Sequence, residues 1–192
     1  DGKAPVVWLD VLDLPLVYYM EASYVTEGEA QQVEAQATER AYRRGGVVPS
    51  PVFARSDRCF PMLRYPWAEV RAALLALAEA EPQIEAVQVA YVNPETGADC
   101  QAILGYSALM LRPGETLQLP ARSPATVFHQ IEGGAQVSAD GASFTLAEAD
   151  TCCVPGYVPI TLSNRSAERP AFVFVADESP LHRKLGVYEV RA

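Results

Sequence analysis

The chain has 192 residues, 49% hydrophobic and 20% charged, which places it among globular chains of one or two folded units. Its net charge of −9 excludes nucleic-acid binding, which needs a concentrated basic surface, and no apolar run reaches the roughly 18 residues that span a bilayer. Small molecules and other protein chains remain as partners. The opening residues, Asp1-Gly2-Lys3-Ala4, carry no signal-peptide pattern and no initiator methionine, so the chain reads as the middle of a longer protein. Its four cysteines, Cys59, Cys100, Cys152 and Cys153, show no Cys-x-x-Cys spacing, and adjacent cysteines rarely bridge each other. They read as buried, reduced thiols of a cytoplasmic protein. With His129 and His182 the only histidines, a zinc site is not indicated.

In chain order, Val6–Asp10 is β-branched and aromatic and predicts a strand. Pro15 interrupts the next stretch, leaving a short strand or a helical turn open. A strand this apolar needs a sheet from elsewhere. Thr26 with Glu29 forms a capping box, and Gly45-Gly46 comes after Arg43 and Arg44, which predicts a surface helix over Thr26–Arg44. Val47–Arg64 is a proline-rich connector. Pro66 opens a second helix, in which Trp67, Val70, Ala73, Leu74 and Leu77 form one apolar stripe, and Pro82 closes it.

From Glu85 the period changes to two. Strands are expected near Ala86–Val92, Gly105–Leu111, Thr116–Leu119, Thr126–Ile131, Ala135–Ala139, Ser143–Leu146, Thr151–Val154, Val158–Ser163 and Ala171–Ala176. Turn residues such as Asn93-Pro94, Pro113-Gly114, Gly133-Gly134, Asp140-Gly141 and Pro155-Gly156 separate them. Many short strands at regular spacing indicate a β-sandwich or barrel. Residues 179–192 read as a tail.

Arg112–Gly134 organises this region. Its turn–strand–strand–turn layout resembles the first motif of a cupin barrel, in which a glycine is followed, at the sixth and eighth positions, by a metal-binding His-x-His pair. Counted from Gly114, those positions hold Pro120 and Arg122. The later motif reads Pro155-Gly156-Tyr157-Val158-Pro159-Ile160-Thr161-Leu162, with Ile160 or Leu162 where a ligand would stand. Proline and aliphatic side chains cannot coordinate a metal, and arginine stays protonated, so no metal is expected here.

Four further segments resemble the gentisate 1,2-dioxygenase family, with the related salicylate and 1-hydroxy-2-naphthoate ring-cleaving enzymes. They are Trp8-Leu9-Asp10 with Leu12-Asp13-Leu14-Pro15-Leu16, Arg64-Tyr65-Pro66-Trp67 with Arg71-Ala72-Ala73-Leu74, Tyr91-Val92-Asn93-Pro94-Glu95-Thr96-Gly97, and Leu185-Gly186-Val187-Tyr188-Glu189. The resemblance implies a bicupin, mainly β, with a double-stranded β-barrel (jelly roll). In that family the first barrel holds Fe(II) through three histidines, binds O2 and an aromatic hydroxy acid, and cleaves the ring beside the carboxylate. This chain would then be the C-terminal half. Residues 1–24 would close the upstream cupin, 25–84 form a helical linker region, and 85–192 form a metal-free second barrel with its tail. The iron would lie outside this chain, the upstream cupin domain would be its partner, and a homo-oligomer is expected.

The resemblance also places Asp10 in the lining of the iron pocket near the substrate, and Trp8, two residues earlier on the same expected strand, should share its face; an N-cap or strand-end aspartate with a structural role is the alternative. Arg122, at a former ligand position, needs an anionic partner. Glu115 or Glu132 could supply it, the side chain could reach the barrel mouth, or it could hold a bound carboxylate. His129 alternates with Phe128 and should point outward if Phe128 points in. The competing class is a non-enzymatic cupin that binds a small organic anion or acts as a scaffold.

Overall fold

The computed structural model describes residues 8–28, 50 and 64–191. It divides into two compact units, Asp1–Glu34 and Ala35–Ala192. In the first, α1 (Leu14–Tyr19) starts with Pro15 in its first turn and ends before Glu21, whose φ is 51°. This decides the open alternative after Pro15 for a helical turn. Trp8, Leu9 and Asp10 are exposed and form no strand, because none of the described residues of this unit offers a ladder to pair with. The strand expected over Val6–Asp10 is therefore absent from its described part. Most of the expected Thr26–Arg44 helix and of the Val47–Arg64 connector lies outside the described residues; Thr26–Gly28 are not helical.

In the second unit α2 (Trp67–Ala80) begins directly after Pro66, whose fixed φ suits entry into a helix. Its strands are β1 (Val87–Ala90), β2 (Gly105–Leu111), β3 (Thr116–Leu119), β4 (Ala121–Arg122), β5 (Thr126–Glu132), β6 (Ala135–Ala139), β7 (Ala142–Leu146), β8 (Thr151–Val154), β9 (Ile160–Ser163) and β10 (Ala171–Asp177). A third helix, α3 (Ser179–Leu185), and a short strand, β11 (Val190–Arg191), complete it. One sheet runs β1-β2-β10-β5-β8 and another β3-β9-β6-β7, all antiparallel, while β11 pairs with β4. The two larger sheets face each other as a jelly roll without a ladder joining them.

Alternation along the strands sorts the residues into two apolar layers. Leu109, Leu111, Phe128, Val137, Leu162, Val173 and Val175 fill the space between the sheets. On the opposite face of the five-stranded sheet, Val87, Ala108, Met110 and Phe172 meet Leu74, with Trp67, Val70, Leu77 and Ala78 of α2. Each fully buried side chain of this kind contributes about 1.5–3 kcal/mol. The packed stripe of α2 differs from the expected one at a single place: Ala73 is exposed and Ala78 takes its position against the sheet.

Two polar ties fix this frame. Glu132 accepts hydrogen bonds from Trp67 Nε1 at 2.6 Å and from Arg71 Nε at 2.9 Å, which joins α2 to β5. Trp67 also meets Phe172 edge-on, and the Arg71 guanidinium lies over the Phe172 ring. Asn164, 2% exposed, donates from Nδ2 to the carbonyls of Leu111, Arg112 and Arg169 and accepts the Ser166 N–H at Oδ1. It thereby fastens the turn after β9 to the turn after β2. Between Phe172 and Val173 the β10–β5 register shifts, and there Gln130 donates from Nε2 to the Glu132 and Phe172 carbonyls. Gly133 comes next in the turn with φ 76°, and a Cβ there would sit 2.8 Å from the Pro170 carbonyl oxygen, so only glycine fits.

Candidate functional site

The inward face of β5 carries Thr126, Phe128 and Gln130, and the inward face of β10 ends at Asp177, opposite Thr126. Arg122 reaches this end of the barrel from β4. Its Nη2 lies 3.3 Å from Asp177 Oδ2 and 3.3 Å from Thr126 Oγ1. Asp177 is held in turn by the Ser179 N–H, which donates to Oδ1 at 2.8 Å as α3 begins. Arg122 and Asp177 expose 24% and 13% of their side chains. The partner of Arg122 is therefore Asp177, not Glu115 or Glu132. Glu115 is taken by Arg112 at 2.8 Å and Glu132 by Trp67 and Arg71.

The backbone at Arg122 is clamped from both sides. Val190 pairs with it in the β4–β11 ladder, and the Tyr157 N–H donates to its carbonyl at 2.6 Å. To make that bond Tyr157 adopts φ 63°, an uncommon conformation for a residue with a bulky side chain. The preceding Gly156 passes so close that a Cβ there would lie 2.3 Å from the Ser123 carbonyl oxygen. Arg191 stacks over the Tyr157 ring at 4.4 Å, and a hydrogen bond to Glu189 pushes the Tyr157 hydroxyl above the ordinary tyrosine range.

Ser123 fastens the tail. Its N–H donates to the Glu189 carbonyl, its Oγ accepts the Glu189 N–H at 3.1 Å, and it lies 2.9 Å from His182 Nδ1. His182 Nε2 is 3.9 Å from Glu178. The segment expected as a plain tail is thus a helix and a strand closing one end of the barrel. The signal for it was present in the sequence: Pro180 in a first turn, basic residues in a last turn, and Gly186 in the left-handed position after it.

His129 points away from the core, as expected from its alternation with the fully buried Phe128, and its Nδ1 meets Thr151 Oγ1 at 2.8 Å. Gln130, on the inward side, keeps its Oε1 without a hydrogen-bond partner among the described residues. Cys100, Cys152 and Cys153 are free thiols. Cys153 is exposed instead of buried, because Cys152 takes the inward side of β8 and alternation turns Cys153 outward. Burial pushes the Cys152 thiol up to about 11. Cys59 lies outside the described residues.

The donor set does not fit a metal ion. Pro120 has no donor, Arg122 is in an ion pair, and Ile160 and Leu162 belong to the apolar core. Among the described residues no three His, Cys, Asp or Glu side chains converge on one point. Asp10 and Trp8 belong to the first unit, where both are exposed, Trp8 at 74%.

A mainly β, antiparallel jelly roll with a helix packed on its five-stranded sheet defines the class: a cupin. No family model matches the chain. It is 64% identical over 191 residues, all of its length, to a gentisate 1,2-dioxygenase of Ralstonia sp., of which this stretch is 54%. It is 27% identical over 190 residues to a 5-aminosalicylate 1,2-dioxygenase of Comamonas sp., covering 97% of this chain and 50% of that one. The structure of a salicylate 1,2-dioxygenase from Pseudaminobacter salicylatoxidans shares the fold, with a TM-score of 0.76 at 23% identity over 93% of this chain and 53% of the other. The chain is a relative of the gentisate 1,2-dioxygenases and spans about half the length of the curated relatives it matches.

Proposed function

We propose that this chain is the C-terminal half of a gentisate-type ring-cleaving dioxygenase, in which residues 1–24 help complete an upstream barrel, 25–84 link the two, and 85–192 form a metal-free barrel that serves stability and assembly. The observation that carries the reading is the end-to-end match at 64% identity to about half of a gentisate 1,2-dioxygenase. The nature of the second barrel rests on its chemistry: the former ligand position is an arginine already paired with Asp177. The exposed apolar side chains of the first unit, among them Trp8, Leu12, Leu14, Tyr18, Tyr19 and Tyr24, suit a surface that another folded part covers.

In this reading the iron and the histidines that hold it lie outside the chain, and the complete protein is a cytoplasmic homo-oligomer acting on gentisate or a related aromatic hydroxy acid with O2. The contribution of these residues is to the pocket. Asp10 offers a carboxylate to the hydroxyl groups of the substrate, and Trp8 an indole face to its ring. In the longer protein, Asp10→Ala should lower turnover at least about tenfold, with melting temperature and iron content unchanged. Unchanged turnover, or loss of iron together with activity, contradicts the pocket role.

A second reading is a non-enzymatic cupin that binds an organic anion or acts as a scaffold, with Arg122, 24% exposed beside Asp177, as the cation at the former ligand position. Ring cleavage by the longer protein separates the two.

A further inference from the structure

We propose that β7 is a contact between two copies of this chain, joined edge to edge so that their four-stranded sheets run on as one antiparallel sheet. The inference rests on the assembly role proposed for residues 85–192 and names the surface that performs it. β1, β8, β3 and β7 stand at the edges of the two larger sheets. Of these only β7 leaves four successive residues exposed, Ala142 to Thr145, and no described residue bonds the backbone on its outer side. Natural edges are blunted by lysine, proline, a bulge or a covering element. The run Ala142-Ser143-Phe144-Thr145-Leu146 has no charge and no proline, and its register with β6 runs without a shift.

The hairpin geometry says which groups are free. Ala139 pairs with Ala142 across Asp140-Gly141, whose φ values of 47° and 75° make a two-residue turn of type I′. Ala142 and Phe144 then exchange backbone bonds with β6, and alternation turns the N–H and C=O of Ser143 and Thr145 off the sheet. Phe144 lies opposite Val137, so its ring is on the barrel side, yet it is 50% exposed while Val137 is fully buried. The ring is open because no strand lies beyond it.

Two requirements select the occupant. Outward strand groups are matched by another strand, and the open ring calls for an apolar group beside it. A second β7, antiparallel and related by a two-fold axis at Phe144, supplies both at once. Ser143 of each copy exchanges its bonds with Thr145 of the other. Phe144 then faces Phe144 in the close, non-hydrogen-bonded pair, with Cα atoms about 4.5 Å apart. Asp140 and Glu148 lie outside the strand, so no charge enters the paired residues.

The first test is a disulfide. Phe144→Cys, checked for folding by circular dichroism, puts two thiols at a Cα separation that a disulfide spans. Under mild oxidation this variant of the 192-residue chain should form a covalent dimer, which peptide mapping assigns to a bridge between the two positions 144, ahead of any bridge through the exposed Cys153. In sedimentation velocity the native chain should dimerise with a Kd below about 100 µM. Phe144→Lys and Phe144→Glu should each associate at least about tenfold more weakly alone and recover dimers when mixed, because like charges face each other in the first case and opposite charges in the second. Should Phe144→Cys not fold, the mixed pair decides. Ring cleavage by the longer protein is a separate readout, so failure of this contact and failure of the dioxygenase reading are told apart. A native chain that stays single at that concentration, bridging through Cys153 without position 144, or charged variants that associate as the native chain does overturn the proposal.

Discussion

The tie between α2 and the barrel can be put to a quantitative test through Glu132. Its carboxylate accepts from Trp67 Nε1 at 2.6 Å and Arg71 Nε at 2.9 Å. The Arg71–Glu132 ion pair leaves 40% and 37% of the two side chains exposed, so it is discounted to about 0.5 kcal/mol. The indole bond to a charged acceptor, partly shielded from water, adds about 1.5 kcal/mol. Glu132→Ala should therefore cost about 2 kcal/mol, which for a chain of this size lowers the melting temperature by about 4–8 °C. Trp67→Phe keeps an aromatic ring against Phe172 and removes only the indole N–H. In a double-mutant cycle by urea denaturation the two changes should couple by at least about 1 kcal/mol; strict additivity would refute the bond as the tie.

The same group sets a pH dependence. The Trp67 hydrogen bond, ahead of the Arg71 bond and charge, holds the Glu132 carboxyl below the usual glutamate range. A carboxyl depressed in the folded state contributes stability that is present above its unfolded value and lost as pH falls through its folded one. The gap between the native chain and Glu132→Ala should stay constant from about pH 8 to 5 and shrink as the pH falls through about 4 and below. A gap that widens on acidification contradicts this sign.

Buried polar groups and the two thiols of β8 give two further outcomes. Asn164→Asp should destabilise the chain by about 2–4 kcal/mol in urea melts and at least as much as Asn164→Ala, since a carboxylate would face the three carbonyls that Nδ2 now serves; an aspartate variant as stable as the native chain rules out the donor role. With iodoacetamide at pH 8, peptide mapping should find Cys153 alkylated well before Cys152, whose half-buried thiol titrates at about 11, and the reverse order contradicts the assigned faces of β8.

The sequence made the sheets legible and left the ends obscure, for physical reasons. Gly105–Leu111, Thr116–Leu119, Ala135–Ala139 and Thr151–Val154 form strands over the residues expected of them, because alternation over several residues is a local signal. Ala121–Arg122 and Val190–Arg191 pair over two residues each, too few to show any period. That Arg122 would need an anion was readable from its type; that Asp177 supplies it was not, because that choice depends on where β10 ends and on Glu115 and Glu132 being occupied elsewhere. Trp8-Leu9-Asp10 has the composition of a strand but no described ladder to join, and propensity alone does not make a strand.

The most direct test of the division of labour is ring cleavage measured on the 192-residue chain and on a protein of its relatives' length that contains it, each supplied with Fe(II), O2 and gentisate, with bound metal assayed in parallel. Product and stoichiometric iron are expected for the longer protein, and neither for the chain alone. Cleavage by the isolated chain, or stoichiometric iron held by a residue between Gly105 and Asp177, would contradict it.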